Sequence, residues 1–326
     1  GRELAGEVAH WHGLDISENM LGVARERLAG AGDCAFSALI DPHGRVVWSC
    51  LPRFDGDPVF CSLLGGADGE SGSWAIEIED LAETRQRYEP NTAVLVTELW
   101  DRHGQGLQVV DFAPRFAARG RFFRPMQIVR RVRALKGTPR IRVRLAPRFH
   151  WGSQAPRITS GSNHVRYVGE DLTLRLYTDA PISHVLSSEP FLLVHEHNFL
   201  LGPDETVAGS VSDVARHFEQ ETRAYWRTWS QRLALPLEWQ EAVIRAAITL
   251  KLSLFEDTGA IVAAMTTSIP EAPNSQRNWD YRYCWLRDAF FVVRALNSLS
   301  EVGTMEDYLR WLSNVVVGAG GGHIQP

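Results

Sequence analysis

A change of hydrophobic period just after residue 205 constrains this chain more than any single motif. Upstream, over about 33–203, apolar and β-branched residues fall in short runs separated by turn sequences. Strand-like segments 37–40 and 46–49 flank Asp41-Pro42-His43-Gly44, and Asp101-Arg102-His103-Gly104 precedes another at 107–112. Both tetrapeptides suit hairpin turns, because Asp bonds to nearby backbone and Gly accepts a left-handed conformation. Further strand-like runs occupy 74–79, 92–97, 128–132, 141–145, 164–168 and 172–177. Downstream the spacing becomes helical. Segment 211–233 has Val214, Phe218, Tyr225 and Trp229 as candidate core positions, and Pro236 ends it. Segment 237–255 reads as an amphipathic helix with Trp239, Val243, Ala246, Ala247, Leu250 and Leu254 on one side. A Pro- and Asn-rich loop over 268–278 precedes helices over 286–299 and 305–316, and a glycine run covers 318–322. Many short strands followed by helices predict a multi-domain β-then-α protein: an antiparallel β-sandwich, then the first helices of a helical barrel. Too few helices follow to close such a barrel, so it is expected to be incomplete in this chain.

A length of 326 residues allows two domains with cores of their own. A net charge of -5 argues against nucleic acid or an anionic membrane as the main partner. No apolar run approaches the ~18 residues of a transmembrane helix. Residues 1–13 are polar and lack a signal-peptide core, and the first residue is not Met, so a processed or incomplete N-terminus is expected. Cys34, Cys50, Cys61 and Cys284 are scattered, which predicts reduced, mostly buried thiols and a cytoplasmic location.

Three clusters invite a function and are better read without one. Arginines are dense over 115–148, yet Arg142 and Arg144 alternate with Ile141, Val143 and Leu145, the pattern of one polar strand face. His195-Glu196-His197 puts two imidazoles on one side of a strand but has no evident third ligand nearby, so no metal site is expected. Glu256-Asp257 reads as a solvated helix end, with half of a carboxylate pair as the alternative. Residues 14–28, from Leu14-Asp15-Ile16 through Ala24-Arg25-Glu26-Arg27, faintly resemble the strand end and helix of S-adenosylmethionine-dependent methyltransferases, with Asp15 at the ribose position. The glycine-rich loop that should precede them is absent, which favours an N-terminal extension over a cofactor site. No cofactor is expected.

Asn278-Trp279-Asp280-Tyr281-Arg282-Tyr283-Cys284-Trp285-Leu286-Arg287-Asp288 combines aromatic rings, guanidinium donors and carboxylate acceptors in one short run. Aromatic faces stack on the C–H faces of sugar rings, while Arg donates to hydroxyl groups and Asp accepts from them. With this run, Ala263-Ala264-Met265-Thr266-Thr267-Ser268-Ile269-Pro270-Glu271 and the stretch from Gly32-Asp33-Cys34 to Leu51-Pro52-Arg53-Phe54-Asp55, the chain from about residue 32 onward resembles glycoside hydrolase family 15, the bacterial and archaeal glucoamylase- and trehalase-like proteins. The resemblance implies a β-sandwich and an (α/α)6, or six-hairpin, barrel. It divides the chain into an extension (1–31), a trehalase-like N-terminal sandwich (32–205), a linker helix (206–236) and the start of the barrel (237–326). It also implies that Arg287 and Asp288 bind glucose hydroxyls, that Trp285 forms a pocket wall, and that Tyr281 and Trp279 are secondary stacking candidates. Trp279 and Tyr283 fit core packing equally well. Arg53 and Asp55 would either reach the barrel mouth or pair with each other.

The family hydrolyses α-glucosides such as trehalose, maltose or maltodextrin with inversion, one carboxylic acid protonating the leaving oxygen and a second carboxylate activating water. The resemblance puts both catalytic glutamates on later helical hairpins, and no Glu here matches either by context. No catalytic residue is therefore assigned. The expectation is a partial chain that is inactive alone, with exposed apolar helix faces. The alternative is a non-catalytic carbohydrate-binding or interaction module built on the sandwich. A homo-oligomer is left open.

Overall fold

The computed structural model describes residues 36–64, 71–118, 120–266 and 279–319. The methyltransferase-like segment, the Gly32-Asp33-Cys34 motif, the loop at 268–278 and the glycines from 320 on lie outside the described residues. Two compact units emerge: Ala38–Pro52 with Gly56–Arg227, and Arg53–Asp55 with the chain from Thr228 on.

The first unit is built on two antiparallel sheets. Its strands are β1 (Leu39–Ile40), β2 (Val46–Cys50), β3 (Pro58–Cys61), β4 (Ser73–Ile78), β5 (Leu81–Tyr88), β6 (Leu95–Asp101), β7 (Gly106–Phe112), β8 (Phe116–Ala118), β9 (Arg121–Phe123), β10 (Ile128–Lys136), β11 (Arg140–Ala146), β12 (Arg157–Ser160), β13 (His164–Val168) and β14 (Thr173–Thr178). After a short helix α1 (Ile182–Ser187) come β15 (Phe191–Leu192), β16 (His197–Pro203) and the long helix α2 (Val211–Ser230). One sheet runs β1-β2-β4-β11-β15 with β3 beside β2, and the other runs β12-β13-β14-β16-β10-β7-β6-β5. The two turns read from the sequence share one construction. Asp41 Oδ1 accepts from the His43 and Arg45 amides, and Asp101 Oδ1 accepts from those of His103 and Gln105, with Gly44 and Gly104 both at φ +75°.

Alternation then decides which side chains meet between the sheets. In β11, Ile141, Val143 and Leu145 lie opposite Ile78, Ile76 and Trp74 of β4, all buried. The second sheet faces this layer with Arg130, whose guanidinium donates to Trp74 O at 2.8 Å, to Gly44 O, and to Asp111 Oδ1 at 2.7 Å. Arg130 is 0% exposed, so the reading of the arginine-dense region as a solvated face fails at this residue. The second sheet's other face packs on α2, where Val94, Val96, Val110, Phe112, Val129, Tyr177 and Leu200 enclose Val211 and Ala215.

The buried ridge of α2 includes Val211, Ala215, Glu219, Thr222 and Trp226; of the expected core positions, Trp229 is buried, Val214 and Phe218 are half-buried and pack against the same cluster, and Tyr225 is half-buried. These aromatics also cover the β8–β9 hairpin: Phe218 meets Phe116 and Phe123, and Tyr225 meets Phe122. Glu219 takes a buried position because Arg131 of β10 and Arg223 pair with it. His195-Glu196-His197 holds no metal cluster among the described residues: Glu196 pairs with Arg131, and His197 Nδ1 lies 3.5 Å from Asp179.

In the second unit, α3 (Gln240–Leu252) is followed by a small hairpin, β17 (Leu254–Phe255) and β18 (Ala260–Ile261), then α4 (Leu286–Ser298) and α5 (Val302–Gly318). The expected helix over 237–255 therefore ends early, since Leu254 and Phe255 are strand. Its buried face is Ile244, Ala247 and Ile248, while Trp239 is 79% exposed and adopts φ +61° ahead of the helix. Glu256 is no solvated helix end: Lys251 Nζ lies 3.6 Å from it and 3.2 Å from Glu301, and both carboxylates are largely buried. Leu254, Ile261, Ala289 and Tyr308 form the core of this unit. Phe290, Phe291, Leu309 and Val317 remain exposed on α4 and α5. Among the described residues no helix is long and apolar enough to cross a membrane.

Candidate functional site

The aromatic and charged run leads directly into α4. Its backbone is fixed first: the Ala264 amide donates to Tyr281 O at 2.8 Å and that of Ala263 to Tyr283 O at 3.1 Å, pairing the run with the chain that follows β18. The second fixing element is an ion pair inside the run. Asp280 accepts from the Arg282 amide (3.0 Å), from its Nε (3.0 Å) and from its Nη2 (2.8 Å), and Arg282 is buried. The third is Trp285, whose Nε1 donates to Asp280 O at 3.0 Å.

These constraints sort the residues of the run. Asp280, one of the two carboxylates of the run, is occupied by Arg282 and shapes the loop. Trp279, Tyr281 and Trp285 come together as one half-buried cluster, with ring centroids 5.8 Å apart for Trp279–Trp285 and 5.6 Å for Tyr281–Trp285. Arg287 and Asp288 sit side by side at the start of α4, with Arg287 Nη2 3.3 Å from Asp288 Oδ2. Arg287 is 71% exposed and Asp288 39% exposed. Asp288 also lies in the helix's first turn, where a negative charge offsets the exposed amides of a terminus that has no side-chain cap.

Below the run, Cys284 packs against Leu254, Ile261, Ala289 and Tyr308. Burial pushes its thiol up to about 11, and Asp288's charge adds to the rise. Burial likewise lifts Tyr308 to about 12. Both groups are neutral packing elements near pH 7. Cys50 and Cys61 are also buried. Arg53 and Asp55 form a bidentate pair with two bonds of 2.9 Å, the structural alternative of the two readings. Between them Phe54 packs on Phe255, Val262 and Met265.

This segment thus offers an aromatic cluster and, next in the chain, an exposed donor and acceptor pair. Chain-level comparison identifies what it belongs to. Residues 18–188 match the trehalase-like N-terminal family, just over half of the chain. The chain belongs to the trehalase-like N-terminal family. In this family member, residues 239–324, which include the aromatic run, also match glycosyl hydrolases family 15. It is 30% identical over 293 residues to a trehalase of Thermoplasma acidophilum, covering 85% of this chain and 48% of the relative. Identity to a Mycolicibacterium smegmatis trehalase is 29% over 322 residues, covering 90% and 47%. The chain spans about half the length of the curated relatives it matches. No solved structure matches it significantly.

Proposed function

We propose that this trehalase-like protein is an α-glucoside hydrolase of the glucoamylase and trehalase type, and that residues 279–288 form one wall of its glucose pocket. The carrying observation is the division of labour within the run: Asp280 and Arg282 pair with each other, Trp279, Tyr281 and Trp285 cluster, and Arg287 and Asp288, which follow in the chain, stay exposed. In this reading Arg287 donates to glucose hydroxyls and Asp288 accepts from them. Trp285 supplies the pocket wall, and Tyr281 and Trp279 offer faces for the sugar's C–H surface. The similarity to trehalases supports an α-glucoside such as trehalose, maltose or maltodextrin as substrate.

The reaction in this reading is hydrolysis with inversion. One carboxylic acid protonates the glycosidic oxygen while a second carboxylate, roughly 6.5–9.5 Å away, draws a proton from water on the opposite face. Neither group is assigned to a residue of this chain. We take 32–205 as the sandwich domain, 206–236 as a linker helix and 237–326 as the opening of an (α/α)6 barrel. The exposed Phe290, Phe291, Leu309 and Val317 support that last assignment, because they form the kind of surface that neighbouring barrel helices cover. A cytoplasmic location goes with the thiols of Cys61 and Cys284.

The test is tryptophan fluorescence titrated with trehalose and with maltose, alongside glucose release followed by NMR to identify the first anomer. Saturable binding, weakened in D288N and, at unchanged thermal midpoint, in R287A, is expected from residues 279–288 alone; a chain that also carries the two catalytic carboxylates should release the β-anomer first. Absence of saturable binding for every α-glucoside tried, or release of the α-anomer first, overturns the reading.

A further inference from the structure

The first unit contains a concavity that the glycosidase reading does not use. It has a volume of about 650 Å³, within the range of small-molecule sites. Three guanidinium groups line it, from Arg142 and Arg144 of β11 and from Arg148 just beyond, together with Ser71, Ser188 and Tyr167. Among the described residues no acidic one lines it. In a chain of net charge -5, such a grouping does not follow from composition.

The strand explains how the groups are presented. Arg140, Arg142 and Arg144 share the face of β11 opposite to the buried Ile141, Val143 and Leu145. Their neighbours on β4 include two acids, and the pairing is uneven. Arg140 Nη1 lies 3.5 Å from Glu79, and Arg144 Nη2 bonds to Glu77 at 3.2 Å. Arg142 stands directly opposite Glu77 in the ladder, yet Glu77 bonds to Arg144. The Nε of Arg142 is buried and has no hydrogen-bond partner among the described residues. A buried donor without an acceptor is destabilising, a cost a bound acceptor removes. Arg148 is held in place by Ser71, to whose Oγ its Nε donates at 2.6 Å.

We infer that this cavity binds a small multivalent oxyanion, a phosphate or carboxylate head group, through Arg142 and Arg148 with Arg144 beside them. Guanidinium forks match the oxygen spacing of both head groups and bind them through charge-assisted hydrogen bonds. This inference stands apart from the sugar reading, which rests on residues of the other unit.

Isothermal titration of the protein with inorganic phosphate and, separately, with citrate, each against sodium chloride at matched ionic strength, tests it. Saturable one-site binding of at least one probe is expected. Phosphate alone identifies a phosphate-bearing ligand, and citrate alone a carboxylate. R142Q and R148Q should each weaken binding about tenfold, the scale of losing a charged hydrogen bond, and the double variant should abolish it. R140Q, altered on the same strand face but outside the cavity, should bind as the parent does. The inference is overturned if neither probe binds beyond the chloride control, if the double variant binds undiminished, or if R140Q loses as much as R142Q.

Discussion

Arg130 and Asp111 face each other across the β7–β10 ladder with both side chains almost wholly buried, 0% and 2% exposed. Arg130 also donates to Trp74 and Gly44 of the opposite sheet and lies 4.9 Å above the Trp74 ring, so one guanidinium ties both sheets together. Burial pushes the Asp111 carboxyl upward against the pull of Arg130. Removing one member strands the other in a dry core. R130M or D111N should cost about 3–5 kcal/mol, read from urea unfolding, because an uncompensated buried charge remains. The R130M/D111L double variant should be less damaged than the sum of the singles. Strict additivity would show that the two residues do not act as a pair.

A second prediction separates shape from contact in the aromatic run. D280A leaves the buried Arg282 guanidinium without its carboxylate and should lower stability by about 1.5–3 kcal/mol, along with any sugar affinity. R287A removes a group that is 71% exposed, so its thermal midpoint should stay near the parent's while sugar affinity falls. Differential scanning fluorimetry with and without trehalose distinguishes the two. Equal destabilisation by both variants would contradict the geometry.

The Lys251–Glu301 pair predicts a pH dependence. Burial alone would raise the Glu301 carboxyl, but the charge of Lys251 and the bonds from Thr304 outweigh it and hold it below the usual glutamate range. A carboxyl depressed in the folded state stabilises the fold above its unfolded pKa, about 4.3. That contribution disappears as the pH falls through the folded value. Glu301 also caps α5 by accepting from the Thr304 amide at 3.1 Å. Stability of the parent should therefore fall from about pH 5 downward more steeply than that of E301Q, measured by chemical unfolding at stepped pH. Parallel curves would remove Glu301 from the account.

Gly259 supplies a steric prediction. It sits in the β17–β18 turn at φ +91°, and a Cβ there would lie 2.2 Å from the backbone oxygen of Asp307 in α5. G259A combines backbone strain with a clash against a helix carbonyl and should cost about 2 kcal/mol or more, seen as a lowered unfolding midpoint. G120A, at φ +72° with no atom near its Cβ, isolates the conformational part and should cost less.

Much of this architecture is legible in the sequence where the physics is local. The Asp41 and Asp101 turns carry their own acceptors and glycines, and β11 alternates strictly because one face is core. Strand β5 escapes a pattern search because both faces meet water and nothing enforces alternation. The burial of Arg130 is invisible locally, since its partner Asp111 lies 19 residues away in a run rich in other arginines. On α2, Phe218 and Tyr225 find aromatic partners on the β8–β9 hairpin, contacts that no helical period encodes. In the candidate site, the mixture of groups is evident from composition. Which carboxylate is spoken for depends on a loop backbone that turns Asp280 onto Arg282.

Strand β5 has one more consequence. It closes one end of the eight-stranded sheet, and every residue but Thr84 is exposed. Glu83 and Arg85 pair along it, and Arg87 reaches across to Glu98. Unpaired strand edges invite annealing with a second chain, and charged side chains are a common guard against it. A β-strand approaching this border must strip water from Glu83, Arg85 and Arg87 before any amide can pair. The same residues that hide the strand from a periodicity search keep the sheet from growing into a neighbour.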